Sequence, residues 1–489
     1  MLGLVLNAKG QDSYDILVGK GRDLAYNVRF EEAESLFTEA ARISPGRAES
    51  YFNIAQVHLW LFLWTNNRGE YETFTRWYDS TVTKSEKIID SNPGDYRATY
   101  LLGETYQLRA IAGVAAHSYL DAFWATKSAS GSFERTLKLA PDFYDAYRGA
   151  GEIHYFLDFL PGSVKWAITL FGMEANKAKG FSELRLAHEK GTLDKVKSAL
   201  SLAQIYSDYV AEYDSAEILM RELVTRFPRN PLFNYHLAVI LIREGRLHEA
   251  EKHLDTILNL NDPDFAVLNN LSVFLKGDIH FKLNDFRNAV KYNKMFLENT
   301  KEPDYSGIAN YRLAVSYRAI GNDSLMKKSL SDAMHGNDRI YDDAQAKSRS
   351  KLFLKRGISS DELMTIEMKN NIDAGEYENV YSTLMPVVDQ IQDMDARAEA
   401  FLLLSESAIH MGEFSEGTRF ATMADSIDRG DDERIEPMSW YLTALGNYRL
   451  GDLSGARRSL RKVKDTSEYG SNNILSARVN NLERHLNPR

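Results

Sequence analysis

The stretch RFEEAESLFTEAARISP, Arg29 to Pro45, sets the frame for the whole chain. Phe30, Ala33, Phe37 and Ala40 recur at helical spacing, which predicts a helix with one apolar face. Pro45 cannot continue the hydrogen-bond ladder and stops that helix. Gly21 stands twelve residues before Ala33. Small residues so placed let a preceding helix approach this one closely, as in a helix hairpin. Pro93 and Pro141 repeat the beat of Pro45 at even spacing. Ten residues after each proline comes a small residue: Ala55, Gly103 and Gly151. The frame returns through Ala216, Met220 and Pro228, then Ala238 and Ala250, Gly277 and Ala289, Ala314 and Met326, Met368 and Leu384, Ser405 and Ala421, and last Ala444 and Ala456. Gly245, Gly321, Gly375, Gly412 and Gly451 fall where the tight turns between paired helices are expected. A self-similar period of this kind marks a solenoid of stacked hairpins.

Composition agrees. At 489 residues the chain is too long for one compact core and ordinary for a stacked array. Hydrophobic residues make up 44% and charged residues 26%, the balance of a folded protein with a watery surface. Only 11 prolines and 30 glycines punctuate it, which suits long helices better than many strands. The net charge of −10 opposes nucleic-acid binding, which needs a basic face. The best basic run, Arg457, Arg458, Arg461, Lys462 and Lys464, reads as a solvated helix face. No cysteine is present, which excludes disulfides, thiolate metal sites and cysteine nucleophiles. No apolar run approaches the roughly 20 residues of a transmembrane segment. Residues 2–6, LGLVL, with Ala8 and Gly10 behind them, look like the tail of a secretory signal, but the basic leader is missing. Residues 1–11 are read either as a signal remnant or as a disordered terminus. The setting leans to periplasmic or exported, with cytoplasmic as the alternative.

The spacings resemble the tetratricopeptide repeat (TPR), a 34-residue helix-turn-helix unit with the pattern W-x2-L-G-x2-Y…A-x3-F…P. Leu102, Gly103 and Tyr106 supply its L-G-x2-Y piece. The resemblance covers nearly the whole chain. It implies an all-α, right-handed superhelical solenoid of TPR-like hairpins. From Ala48 to Gly191 the units are longer than standard by about four helical turns, so overlong helices are expected in the N-terminal third. The added segments are Leu59–Ser80 and Gln107–Lys127, and Pro161-Gly162 breaks a third long unit. The expected blocks are 12–191 with lengthened hairpins, 192–335 as a regular array, and 344–489 as a C-terminal array ending in a capping helix over Asn472–Leu486. His335–Asp343 is a polar hinge between the last two. The long third unit also looks like a subgroup of TPR proteins that includes mitochondrial outer-membrane inclusion-clearance proteins and bacterial relatives.

The resemblance further implies that the first helix of each pair lines a concave face. The positions facing that groove hold Tyr100, Glu104, Gln107, Arg148, Glu152, Tyr155, Asp208, Tyr209, Tyr235 and Arg243. Tyrosine and arginine are types that anchor interfaces. The family's carboxylate-clamp groups carry several Lys, Arg and Asn at these places. This chain departs from that, which argues against chaperone-tail binding.

His58, Tyr106 and His154 each follow the small residue of a long unit by three places, so they stack as a ladder. Their ordinary reading is packing between paired helices. The sharper one is a polar strip in a cavity of the long hairpins, with Trp60 beside it. Trp60, Trp64, Trp77, Trp124 and Trp166 all fall in the lengthened region, where core packing is the default and an aromatic pocket the alternative. Chemistry is otherwise sparse. There is no phosphate loop, no H-E-x-x-H and no G-x-S-x-G. His154 and Asp158, one turn apart, are the nearest thing to an acid–base pair. No catalytic residue, metal or cofactor is assigned. The sequence therefore reads as a non-catalytic scaffold or adaptor that binds a protein or peptide, with envelope assembly as one setting. The alternative is a carrier of a small apolar molecule or lipid in a Trp-rich pocket. Self-association stays open.

Overall fold

A computed structural model of the protein describes residues 2–160, 162–300, 302–428, 432–466, 469 and 472–487, with the backbone alone at 2–12, 162–164 and 167. The signal-remnant reading of residues 1–11 lies outside the described side chains, and Pro161 lies outside the described residues. Among the latter, all regular structure is helical. The chain divides into two compact units. Unit 1 holds Met1–Ala203, Leu219–Phe233 and Leu260–Val267; unit 2 holds Gln204–Ile218, Asn234–Asn259 and Leu268–Arg489.

The first ten helices are α1 (Leu2–Tyr26), α2 (Phe30–Ile43), α3 (Glu49–Thr65), α4 (Arg68–Ser91), α5 (Tyr96–Ala115), α6 (Tyr119–Leu139), α7 (Ala146–Leu157), α8 (Gly162–Leu170), α9 (Lys177–Lys190) and α10 (Lys195–Ile205). A π-helical turn, Tyr206–Val210, precedes α11 (Tyr213–Arg226), α12 (Pro231–Arg243), α13 (Leu247–Leu258), α14 (Ala266–Lys282) and α15 (Phe286–Asn299). Then come α16 (Ser306–Ala319), α17 (Asp323–Asp332), α18 (Tyr341–Arg356), α19 (Ser360–Asp373), α20 (Tyr377–Leu384), α21 (Met394–His410), α22 (Phe414–Ile427), α23 (Ile435–Arg449), α24 (Leu453–Asp465) and α25 (Asn473–Leu486). Helices α2, α4, α6 and α11 each end two residues before Pro45, Pro93, Pro141 and Pro228, because a proline cannot donate to the preceding turn.

Neighbours pack as hairpins. In unit 1 these are α1 with α2, α3 with α4, α5 with α6, and α7 with α9; in unit 2 they include α16 with α17, α21 with α22, and α23 with α24. The lengthening is real: α4 has 24 residues and α6 has 21, against 12 in α13. Each turn reverses the chain through one left-handed residue. At Gly245, Gly321, Gly375, Gly412 and Gly451 φ lies between 76° and 88°, where glycine meets no Cβ penalty. The turns of the first three hairpins place Val28, Asn66 and His117 in the same region. Closest approach comes in the third long unit. A Cβ on Gly151 would lie 2.8 Å from the Gly180 carbonyl oxygen, so α7 and α9 touch backbone to backbone.

The unit 1 core runs through Phe52, Leu59, Phe74, Leu101 and Leu108, with Phe133, Ala146 and Ile153 beyond them. In unit 2, α25 buries Leu475, Val479, Leu482 and Leu486. Its other face is also engaged. Asn480 donates to the Tyr209 carbonyl (3.1 Å), and Arg484 pairs with Glu212 (2.6 Å). The polar stretch His335–Asp343 is pinned, since the Asp343 carboxylate accepts from the Ile308 and Asn337 N–H groups at 2.8 and 2.9 Å.

Candidate functional site

In unit 1, five of the expected groove residues form one buried network. Arg148, on α7, is 4% exposed. It donates to Asp194 (3.2 Å), Glu152 (2.8 Å), Gln107 (2.9 Å) and Glu104. Lys197, one turn into α10, donates to the other Glu104 oxygen at 2.9 Å. The Tyr100 hydroxyl donates to Asp194, and Glu152 also takes the Ser201 hydroxyl and the Gln107 amide. Burial works to raise the Asp194 pKa, but Lys197 and Arg148 hold it well below the usual carboxylate range. Tyr100, Glu104 and Arg148 thus face other helices of their own unit. Tyr155 is buried too, with its ring against Phe156 and Phe159.

The histidine positions sit between paired helices. His58 Nδ1 lies 2.6 Å from Glu70 on α4, and its Nε2 lies 3.5 Å from Glu34 on α2. His154 repeats the arrangement with Glu183 on α9 (2.6 Å) and Glu174 (3.9 Å). It does not pair with Asp158, which binds Lys165 instead (2.8 Å). Tyr106 packs near Tyr78, 6.5 Å between centroids. In unit 2, His280 stands between Glu251 and Asp285, both at 3.2 Å. It follows Gly277 by the same three places, a signal the sequence carried and the ladder reading left out. Burial acts to lower the His58 pKa, but Glu34 and Glu70 outweigh it and the net shift is upward.

Beside the network lies a pocket of about 190 Å³. Trp60 and Trp64 form one wall, stacked at 6.2 Å and 13°, with Leu63, Leu108, Ile111 and Phe233 around them. Trp60 therefore lines it; His58, Tyr106 and His154 do not. Core packing fails for two other tryptophans. Trp124 is 45% exposed and Trp166, on α8, 70% exposed, near the surface residues Leu170 and Phe171. The sequence shows their residue type but not that the hairpin tips leave them uncovered.

Unit 2 carries a groove with two adjoining cavities of about 400 and 370 Å³. Successive inner helices line it: Ile242 and Arg243 from α12, Lys282 from α14, Ile308 from α16, Asp342 and Gln345 from α18, Lys369 and Asp373 from α19, and Glu399 from α21. Its charges are tied in a ladder. Arg312 and Lys282 share Asp278 (2.7 and 3.0 Å), Lys369 holds Asp373, and Arg434 spans Glu399 and Asp432 (3.2 and 2.6 Å). Of the expected residues, Arg243 lines this groove and pairs with Asp208. Tyr209 sits in the π-helical turn under α25, and Tyr235 is half-buried and does not line either cavity. The unit 2 lining beyond Arg243 went unread because it faces inward only once consecutive hairpins stack.

Among the described residues no group of three or more His, Asp or Glu is placed to hold a metal, and no helix is long and apolar enough to cross a membrane. Stacked helix pairs with inner-helix grooves define a helical repeat protein, a class that acts mainly through binding surfaces. The family model described as Tetratricopeptide repeat matches residues 209–264. No curated protein matches the sequence. Similar solved structures include yeast Tom70, at 13% identity over 97% of both chains with a TM-score of 0.29. The human IFIT1 dimer with m7Gppp-AAAA is 16% identical over 85% of this chain and 95% of that one, TM-score 0.39. The APC/C hetero-tetramer Cut9-Hcn1 is 12% identical over 96% of both, TM-score 0.27.

Proposed function

We propose that this protein is a non-catalytic scaffold that holds an extended peptide or protein segment in the unit 2 groove. The observation that carries the reading is the groove itself: the inner helices α12 and α16 present Ile242 and Ile308, and the start of α25 presents Ile474, beside ordered charges. Apolar contacts then supply affinity and the fixed charges supply register. A preformed surface spares the ordering entropy that a loop would lose. Affinity capture from native extract with the wild type beside Ile308→Asp/Ile474→Asp tests this. A partner lost from the variant, with circular dichroism unchanged, supports the groove. Equal capture by both chains overturns it.

Envelope assembly is the narrower form of this reading, supported by the leader-like residues 2–10. A second reading, carriage of a small apolar molecule, draws on the unit 1 pocket with its Trp60 and Trp64 wall.

A further inference from the structure

The unit 1 pocket has walls and a floor of opposite character. Trp60, Leu63, Trp64, Leu108, Ile111 and Phe233 form the walls. Glu104, Gln107, Arg148, Glu152 and Lys197 lie at the floor, where they bond to one another. A charged ligand would lose its water there and find each floor charge already paired, which costs more than it returns. The volume, about 190 Å³, is a little above the ~150 Å³ of an apolar cavity that takes benzene. It admits a ring system.

Three polar lining residues stand outside the network: Tyr26, Asn230 and Gln56, of which Asn230 is engaged by the Tyr26 carbonyl and the Phe233 N–H. Gln56, on α3, is 8% exposed and lines this pocket and an adjoining recess of about 40 Å³. Its carboxamide makes no hydrogen bond with any described residue. The carboxamide is open to the pocket and not sealed away, so an occupant that displaces water from it must offer a hydrogen bond in its place.

We propose that this pocket binds a neutral aromatic group of about indole size with a single hydrogen-bonding atom, which meets the Gln56 carboxamide. This rests on the carrier reading for unit 1 and narrows it to a ligand class; it is independent of the unit 2 groove. The group belongs either to a free small molecule or to an aromatic side chain of a bound peptide.

The test is fluorine NMR titration of the full chain with 5-fluoroindole, fluorobenzene and 4-fluorobenzoate. Fluoroindole should bind saturably at one site, and fluorobenzoate should not bind. Gln56→Leu should weaken fluoroindole about three- to tenfold while leaving fluorobenzene unchanged. Leu63→Trp fills the pocket and should abolish binding. Ile111→Trp, at the exposed rim, does so with less risk to folding. A blocked tripeptide with central 5-fluorotryptophan separates the sources: binding comparable to fluoroindole assigns a peptide side chain, and its exclusion beside bound fluoroindole assigns a free molecule. Fluoroindole binding that survives both filling variants overturns the site, and fluorobenzoate binding as tightly overturns the ligand class. A lipid extracted from the native chain that itself fails to bind after filling, with no fluoroindole binding, preserves carriage and overturns this inference. No binding of any kind sinks both.

Discussion

Arg148 concentrates the electrostatics of unit 1 in one side chain. Its donors are shared among Glu104, Gln107, Glu152 and Asp194. Truncation leaves Glu104, Glu152 and Asp194 buried without this counter-ion, so Arg148→Ala should cost about 3–5 kcal/mol. Urea unfolding measures it, and a loss under 1 kcal/mol would show that water replaces the guanidinium. His58 gives a prediction with a sign. Its folded pKa is raised by Glu34 and Glu70 acting against burial. A raised pKa means the folded state holds the proton more tightly. The stabilisation is therefore full below the unfolded value of about 6.5 and is lost as pH rises through the folded value. Thermal midpoints between pH 5 and 9 should fall faster for the wild type than for His58→Gln; parallel curves would contradict the clamp.

The hairpin turns show what an element demands of a residue. Five of them place glycine in the left-handed region, while Val28 occupies it with a β-branched side chain at φ 57°. That conformation crowds Cβ against the following carbonyl. Val28→Gly should stabilise the chain by about 0.5–1 kcal/mol despite the added freedom of the unfolded state. A raised urea midpoint at unchanged slope is the expected result. Helix α25 makes the complementary case. Leu482 is buried against its neighbours while Asn480 and Arg484 hold the turn that carries Tyr209. Leu482→Ala should cost about 2–5 kcal/mol. It should also speed amide exchange at residues 206–212, which a merely local cap would leave unchanged.

Over the whole molecule, charge is arranged for register more than for attraction. In the unit 2 groove Arg243, Arg312, Lys282, Lys369 and Arg434 are each matched by a carboxylate. A partner therefore meets a nearly neutral, apolar-walled surface. Its affinity should change less than about threefold between 50 and 300 mM salt, because screened long-range attraction contributes little. Calorimetry on the captured partner reads this directly, and a tenfold loss would point to a charged partner instead.

The hairpins are legible in the chain's local pattern. Prolines two residues beyond α2, α4, α6 and α11, apolar spacing along each helix, and turn glycines all act locally, through backbone hydrogen bonding and Cβ sterics that a one-dimensional pattern records. It also placed the long helices and put His58 and His154 at equivalent positions. What each position faces was another matter. Tyr100, Glu104 and Arg148 occupy the groove places of the repeat, yet the packing of α5, α7 and α10 closes over them. Trp124 and Trp166 have the composition of a core and stand at a surface. Asp342 and Lys369 become neighbours of one groove although they lie on different helices. Burial depends on the angle and spacing at which successive hairpins stack. Those are set by the sum of many side-chain contacts across elements, which no local pattern records.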